Sequence, residues 1–235
     1  MRCSLNIPLE IVNLFSVWML CDSLRNPYSP SFYSSRFSFS PLSFFPSRPQ
    51  GTVCLGLRSK THVVLAGLKR SPNELASYQK KLVKIDDHMG VGMSGLTADG
   101  RSLVKYMRTE ALNHKYVYGT PIQGSRLVID VADMHQRCTQ SYVRRPYGVG
   151  LLVATYDQTG PHLFQTQPSG EYYECQAMAI GSRSQTSRTY LEREFGNFPE
   201  CNLDDLIRHA IKALRLVVSV VRSSDLMWRG VLLWQ

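Results

Sequence analysis

The sequence predicts a layered α+β domain, with antiparallel sheets stacked face to face and pairs of helices outside them. Three observations carry this prediction. Short apolar runs of strand character come in groups. Each group is followed by two adjacent stretches whose apolar residues recur at helical spacing. That order, strands and then a helix pair, occurs twice between residues 51 and 215, and strand runs alternating with paired helices argue for layers.

In chain order, Thr52–Leu57 and His62–Leu68 flank the polar Arg58–Thr61 and read as a hairpin. Leu82–Asp86 and Met89–Ser94 form a second strand pair turning at Asp87–His88. Thr97 is expected to cap a helix beginning near Ala98, with Leu103, Val104, Met107 and Ala111 inward. Beyond Pro121 a second helix gathers Leu127, Val128, Val131, Met134 and Cys138 on one side. Gly148–Tyr156 and His162–Thr166 flank a turn at Asp157–Pro161, and Tyr172–Ile180 reads as one further strand. Ser184–Phe195 is a helix. Asn202 caps the last one, where Asp204 and Asp205 suit the positive end of the helix dipole. Leu203, Leu206, Ile207, Ala210, Ile211 and Leu214 form its apolar stripe.

The 235 residues allow one domain plus a tail, and 43% hydrophobic with 19% charged residues suits a buried core. The net charge of +9 is uneven, because no acidic residue falls between Asp22 and Glu74. No nucleic-acid motif accompanies that basic stretch, so no nucleic-acid partner is expected. Cys3, Cys21, Cys54, Cys138, Cys175 and Cys201 are scattered without a CxxC pair. That argues against zinc or a disulfide framework and for free thiols in a reducing compartment; no metal and no cofactor is expected. Ile7–Cys21 is apolar but short and interrupted by Glu10 and Asn13, so no membrane span is expected. The acid-poor, Ser- and Arg-containing stretch to Gln50 also has the composition of an organellar transit peptide, the minor reading. Prolines at 27, 30, 41, 46 and 49 make residues 27–50 an expected poorly ordered segment.

Longer motifs sharpen this picture. Lys81–His88 (KLVKIDDH), Ser94–Arg101 (SGLTADGR), Arg145–Leu152 (RPYGVGLL) and Ala179–Ser184 (AIGSRS) occur in the order found in proteasome alpha-type subunits, and residues 51–215 resemble that family. Gly160–Gln165 (GPHLFQ), Arg183–Gln185 and Arg188–Arg193 (RTYLER) resemble its alpha type-1 branch. The resemblance implies a four-layer αββα sandwich of the N-terminal-nucleophile hydrolase type. It implies a non-catalytic subunit of the core alpha ring, serving ubiquitin-dependent protein breakdown through ring assembly, substrate admission and regulator docking. The implied partners are neighbouring alpha and beta subunits and the C-terminal tails of a regulatory particle or activator. The implied locations are cytoplasm and nucleus. Lys81 matches the family lysine that receives an activator tail's carboxylate between neighbouring subunits, and Gly51 and Leu96 match positions shaping that pocket. Read from the residues alone, Gly51 serves equally as a tight strand start and Leu96 as a core leucine. The helix Ala98–Val117 and the loop after Gly119 are candidates for lateral contacts by the same analogy.

Beta-type relatives use an N-terminal threonine whose own amine, with a lysine and an aspartate, supports proton transfer. Here Gly51-Thr52 resembles their processing junction and Lys81 their lysine, but Leu68 stands where they place the aspartate. Leucine can neither balance the lysine charge nor accept its hydrogen bond, so no catalytic residue is assigned. The alternatives are a threonine peptidase activated by cleavage before Thr52, or an independent interaction protein on the same fold. No GxSxG elbow or HExxH occurs. Gly90–Gly95 reads as small residues for packing, and Arg144-Arg145 as a solvated or intersubunit pair rather than a phosphate site.

Both ends depart from the family. Residues 1–50 lack its Tyr-Asp gating tail and its Val-Glu-Tyr-Ala helix, and residues 216–235 do not follow its closing strands. The expectation is a sandwich incomplete at both ends, with unpaired sheet edges, uncovered apolar faces and weakened assembly. Within the last segment, Val217–Val221 is suited to extend the preceding helix and Val231–Trp234 to form a strand.

Overall fold

Strands that are apolar on both faces must be covered on both faces, and that requirement organises this chain. The computed structural model describes residues 51–69, 75, 77–219 and 231–234; the readings made for residues 1–50 lie outside the described residues. The elements are β1 (Cys54–Arg58), β2 (Val63–Gly67), β3 (Leu82–Asp86), β4 (Met89–Gly95), α1 (Thr97–Tyr118), α2 (Gly124–Gln140), β5 (Val149–Asp157), β6 (Gly160–Thr166), β7 (Tyr172–Glu174), β8 (Ala177–Ile180), α3 (Ser184–Arg193), α4 (Leu203–Ser219) and β9 (Val231–Trp234). They form a four-stranded sheet, β8-β1-β2-β9, and a five-stranded sheet, β3-β4-β5-β6-β7. Every pairing in both sheets is antiparallel.

Period-two alternation divides the interior into three apolar layers. On β5, Val149, Leu151 and Val153 face α1 and α2, joining Leu103, Met107, Leu127 and Val131. The intervening Leu152 and Ala154 face the other sheet, where they meet Cys54, Val63, Leu65 and Ile180. On the far side Val53, Leu55, Leu57, Val64 and Ala66 pack with Leu206, Ala210, Ala213, Leu214 and Val217 of α4 and Leu191 of α3. Helices, sheet, sheet, helices is the expected αββα order.

Several elements differ from expectation for identifiable reasons. Thr97 does not cap α1; Leu96 occupies the cap position with no side-chain cap bond, and the Thr97 hydroxyl instead accepts from the Gln79 amide. The β5–β6 turn is tighter than predicted, because the strands pair to Asp157↔Gly160. The predicted strand Tyr172–Ile180 is two strands in different sheets. β7 pairs with β6 and β8 pairs with β1, and the chain crosses between sheets at Cys175-Gln176. The crossing is fixed by backbone bonds, Cys175 N–H to Leu163 O at 2.8 Å and Arg58 N–H to Gln176 O at 2.7 Å. Helix α3 stops at Arg193, and Phe195 beyond it is exposed. Ile211 is not in the core, since it is 42% exposed, whereas Ala213 and Val217 are buried.

At the C-terminal end, α4 continues through Ser219, and residues 220–221 lie outside the described residues. β9 runs antiparallel along β2, from Val63↔Trp234 to Ala66↔Val231. That edge of β2 is therefore paired rather than open, which corrects the expectation for this side of the sheet. Among the described residues Cys54 and Cys138 are buried, Cys175 and Cys201 are half-buried, and all are free thiols. No helix among the described residues is long and apolar enough to cross a membrane.

These placements predict a contrast along α4. Leu206→Ala should destabilise the chain by about 2–5 kcal/mol, because it empties a fully buried site. Ile211→Ala should stay within about 0.5 kcal/mol. Chemical denaturation of the two variants against the parent measures both, and comparable losses would put Ile211 back in the core.

Candidate functional site

The site forms where four chain segments meet at one end of the two sheets. Thr52 precedes β1, Ser94 and Gly95 end β4, Gly148 precedes β5, and Gly181 follows β8. The contacts leave no room for side chains. A Cβ added at Gly51 would lie 2.4 Å from the Gly95 nitrogen, and one at Gly181 would lie 2.8 Å from the Thr52 oxygen. Gly95 and Gly181 also have φ of 133° and 108°, a region that disfavours any residue with a Cβ. The Gly51 carbonyl accepts from Ser182 N–H at 2.6 Å.

The Thr52 carbonyl is the centre of this junction. It accepts from Lys81 Nζ at 2.9 Å and from Ser94 Oγ at 3.1 Å. Lys81 is only 7% exposed, and no carboxylate among the described residues pairs with it. Burial pushes its ammonium down to about 8. Burial likewise pushes the neighbouring Cys54 thiol up to about 12, so Cys54 contributes an uncharged sulfur.

Of the expected pocket residues, Lys81 bonds to the Thr52 carbonyl, and Gly51 is the residue before Thr52. Leu96 joins through Gly95, but it is not a core leucine: it is 53% exposed. Its N–H donates to Gly148 O at 2.9 Å, and its side chain lies against Gly148. The helical surface proposed by analogy leaves Leu112, Tyr116, Val117 and Tyr118 exposed. Within β4, Gly92 admits the Cys54 sulfur, as expected of glycines present for packing.

As a reaction centre the geometry is specific. The Thr52 hydroxyl donates to Leu68 O at 3.2 Å, and Leu68 N–H donates to Val53 O at 3.0 Å. The Thr52 nitrogen is in peptide linkage to Gly51. Lys81 reaches the Thr52 carbonyl, and no hydrogen bond joins it to the hydroxyl. Among the described residues, only a backbone carbonyl, a very poor base, stands in position to receive the hydroxyl proton.

Sequence reasoning missed Asp99. Arg145 Nη1 and Nη2 donate to its two oxygens at 2.7 and 2.8 Å, and Gly148 N–H donates to Oδ2 at 3.0 Å. The Arg145 hydrogen bond holds the Asp99 carboxyl below the usual carboxylate range. Arg145 is therefore neither an unpaired solvated cation nor a free phosphate site. The signal present was an acidic residue in the first turn of α1, but nothing along the chain connects it to a residue 46 positions later.

Two face-to-face antiparallel sheets between helix pairs, with a threonine leading β1 beside a lysine that immediately precedes β3, define an αββα sandwich of the N-terminal-nucleophile hydrolase type. Residues 49–226 match the proteasome subunit family model, and the chain belongs to that family. It is 55% identical over 166 residues to proteasome subunit alpha type-1 of Dictyostelium discoideum, which covers 71% of this chain and 67% of that protein. It is 48% identical over 164 residues to proteasome subunit alpha type-1 of Drosophila melanogaster, covering 70% of this chain and 59% of that one. Against proteasome subunit alpha type-1 of Trypanosoma brucei rhodesiense it is 46% identical over 170 residues, covering 72% and 64%. The chain thus spans between 59% and 67% of the length of these relatives.

The Lys81 environment has a consequence for stability. Its folded pKa lies below its unfolded value of 10.5, so between about pH 8 and 10.5 the unfolded chain binds the proton more tightly and stability rises with pH. Below pH 8 the cost of burying the charge is fully present. Lys81→Met should therefore stabilise the chain at pH 7 by roughly 1–3 kcal/mol, and the advantage should shrink by pH 9.5. Denaturant titrations at the two pH values measure this; a pH-independent difference would mean the lysine is solvated.

Proposed function

We infer that this chain is a non-catalytic subunit of the proteasome core alpha ring, contributing to ubiquitin-dependent protein breakdown through ring assembly and regulator docking. The observation that carries the non-catalytic reading is the state of Thr52. Its amine is a peptide nitrogen, and its hydroxyl donates to the Leu68 carbonyl. An N-terminal nucleophile needs both a free amine and a proton acceptor. Membership of the family and the alpha-type relatives support the assembly reading. Its partners are neighbouring alpha and beta subunits, and the proposed locations are cytoplasm and nucleus.

The docking reading rests on Lys81. A buried ammonium whose one hydrogen-bond partner among the described residues is a backbone carbonyl is complementary to a peptide's terminal carboxylate, which would supply the missing counter-charge in a charge-assisted bond. Gly51 lets the chain approach closely, and exposed Leu96 offers an apolar surface beside the junction. The second reading, a threonine peptidase released by cleavage before Thr52, draws on the Gly51-Thr52 junction and Lys81.

Native mass spectrometry after affinity capture of the full chain should find it inside a large complex of alpha and beta subunits, and recovery only as a free chain would sink the ring assignment. Intact-mass analysis should find no species beginning at Thr52, and a new Thr52 terminus with turnover of a fluorogenic peptide would favour the peptidase. In assembled rings, a peptide ending in a free carboxylate should bind about tenfold more weakly at pH 9 than at pH 7, as Lys81 loses its proton near pH 8. An amidated peptide should bind weakly at both; equal affinity for the two peptides would remove Lys81 from the docking role.

A further inference from the structure

Asp99 sits in the first turn of α1, where an acidic side chain usually serves the helix's own free amides. Here its hydrogen bonds run elsewhere. Oδ1 and Oδ2 take the two Arg145 nitrogens, and Oδ2 also takes Gly148 N–H. The bonds continue from there: Gly148 O accepts Leu96 N–H at 2.9 Å, and the Leu96 side chain rests on Gly148. Leu96 is bonded to Gly95, whose nitrogen faces Gly51 next to the carbonyl that binds Lys81. The Asp99 side chain is 11% exposed, whereas that of Arg145 is 64% exposed, so the pair closes from the solvent side without being part of a core layer.

We propose that Asp99 and Arg145 form a clamp that fixes Gly148 and, through it, the exposed Leu96 beside Lys81, making Asp99 a positioning residue for carboxyl-terminated peptides. This rests on the docking reading of Lys81. The physical reason is preorganisation. An exposed leucine whose side chain rests on a Gly148 free to shift must otherwise be ordered when a ligand arrives, and ordering it beforehand removes that cost from binding. Planar, bidentate guanidinium–carboxylate pairing suits the task because it fixes direction as well as distance.

The test uses assembled particles containing the full chain and a fluorescent apolar heptapeptide with a free C-terminal carboxylate. Affinity is measured for the parent, Asp99→Asn, Arg145→Met, Leu96→Ala, Asp99→Asn with Leu96→Ala, and Lys81→Ala. Asp99→Asn and Arg145→Met should each weaken binding about 3- to 30-fold, and the Asp99→Asn effect should vanish when Leu96 is already alanine. Hydrogen exchange should accelerate at the Leu96 amide in both clamp variants while the Leu103 and Met107 amides stay protected. If Lys81→Ala loses binding but the clamp variants keep parental affinity, the clamp is overturned and the docking reading stands. A clamp effect that persists in full in the Leu96→Ala background also overturns it, since Asp99 would then act by another route. If Lys81→Ala leaves affinity unchanged, the docking reading falls and the clamp's role with it. Should Asp99→Asn fail to assemble, Arg145→Met, altered at an exposed site, decides the question alone.

Discussion

Much of this structure is arranged around one backbone carbonyl. Thr52 O accepts from Lys81 on the segment entering β3 and from Ser94 at the end of β4, and the turn after β8 presses against it. The strand leading into the four-stranded sheet is thereby tied to the five-stranded sheet at one end of the inter-sheet layer. The tie requires backbones to approach more closely than any Cβ permits, and glycine at 95 and 181 supplies both the space and the positive φ. Through the middle of the layer the sheets are held by non-directional apolar contact, chiefly Cys54, Val63, Leu65, Leu152 and Leu163, and at the far end of β1 the Arg58–Glu174 ion pair also links them. Apolar contact fixes separation; the Thr52 junction adds directional bonds that relate one sheet to the other.

The same tie governs the chemistry. Once Lys81 is bonded to the Thr52 carbonyl and Thr52 Oγ to the Leu68 carbonyl, each polar group has a backbone partner and no hydrogen bond connects the amine to the hydroxyl. The resemblance to beta-type relatives implies that an aspartate in place of Leu68 would change this by giving the ammonium a counter-ion. Here burial, with no carboxylate among the described residues paired to the cation, is why its pKa falls instead of rising.

What could be read in advance follows the range of the interactions. Helices and hairpins depend on neighbours a few residues apart, so their apolar spacing revealed them, and Lys81 and Leu96 fall within contiguous motifs. Features set by distant partners were hidden. Tyr172–Ile180 alternates like a single strand, with no glycine or proline to mark the crossing; its break is dictated by β1 on one side and β6 on the other. Ile211 and Ala213 both lie within helical reach of the α4 stripe, and only the placement of the sheet beneath decides that alanine goes inward. Thr97 had the chemistry of a cap, yet Leu96 is held at the cap position by Gly148, whose location the local sequence does not encode. Asp99 was overlooked for the same reason, since its meaning lies 46 residues away.

The C-terminal strand extends this reasoning to assembly. A sheet ending at β2 would present a row of unpaired amides and carbonyls in a strand whose side chains are buried on both faces, an arrangement prone to unwanted pairing. β9 pairs with that row over Val63–Ala66, moving the open edge outward by one strand. Strand pairing asks little of sequence beyond extended, apolar character, and VLLW meets that requirement without matching any longer pattern. A segment with no familiar motif can therefore still complete a ladder, because what β2 presents is backbone. The side-chain specificity in this chain lies at the opposite demand, around Thr52, where a single added methyl group at Gly95 or Gly181 would separate the segments that hold Lys81 in place.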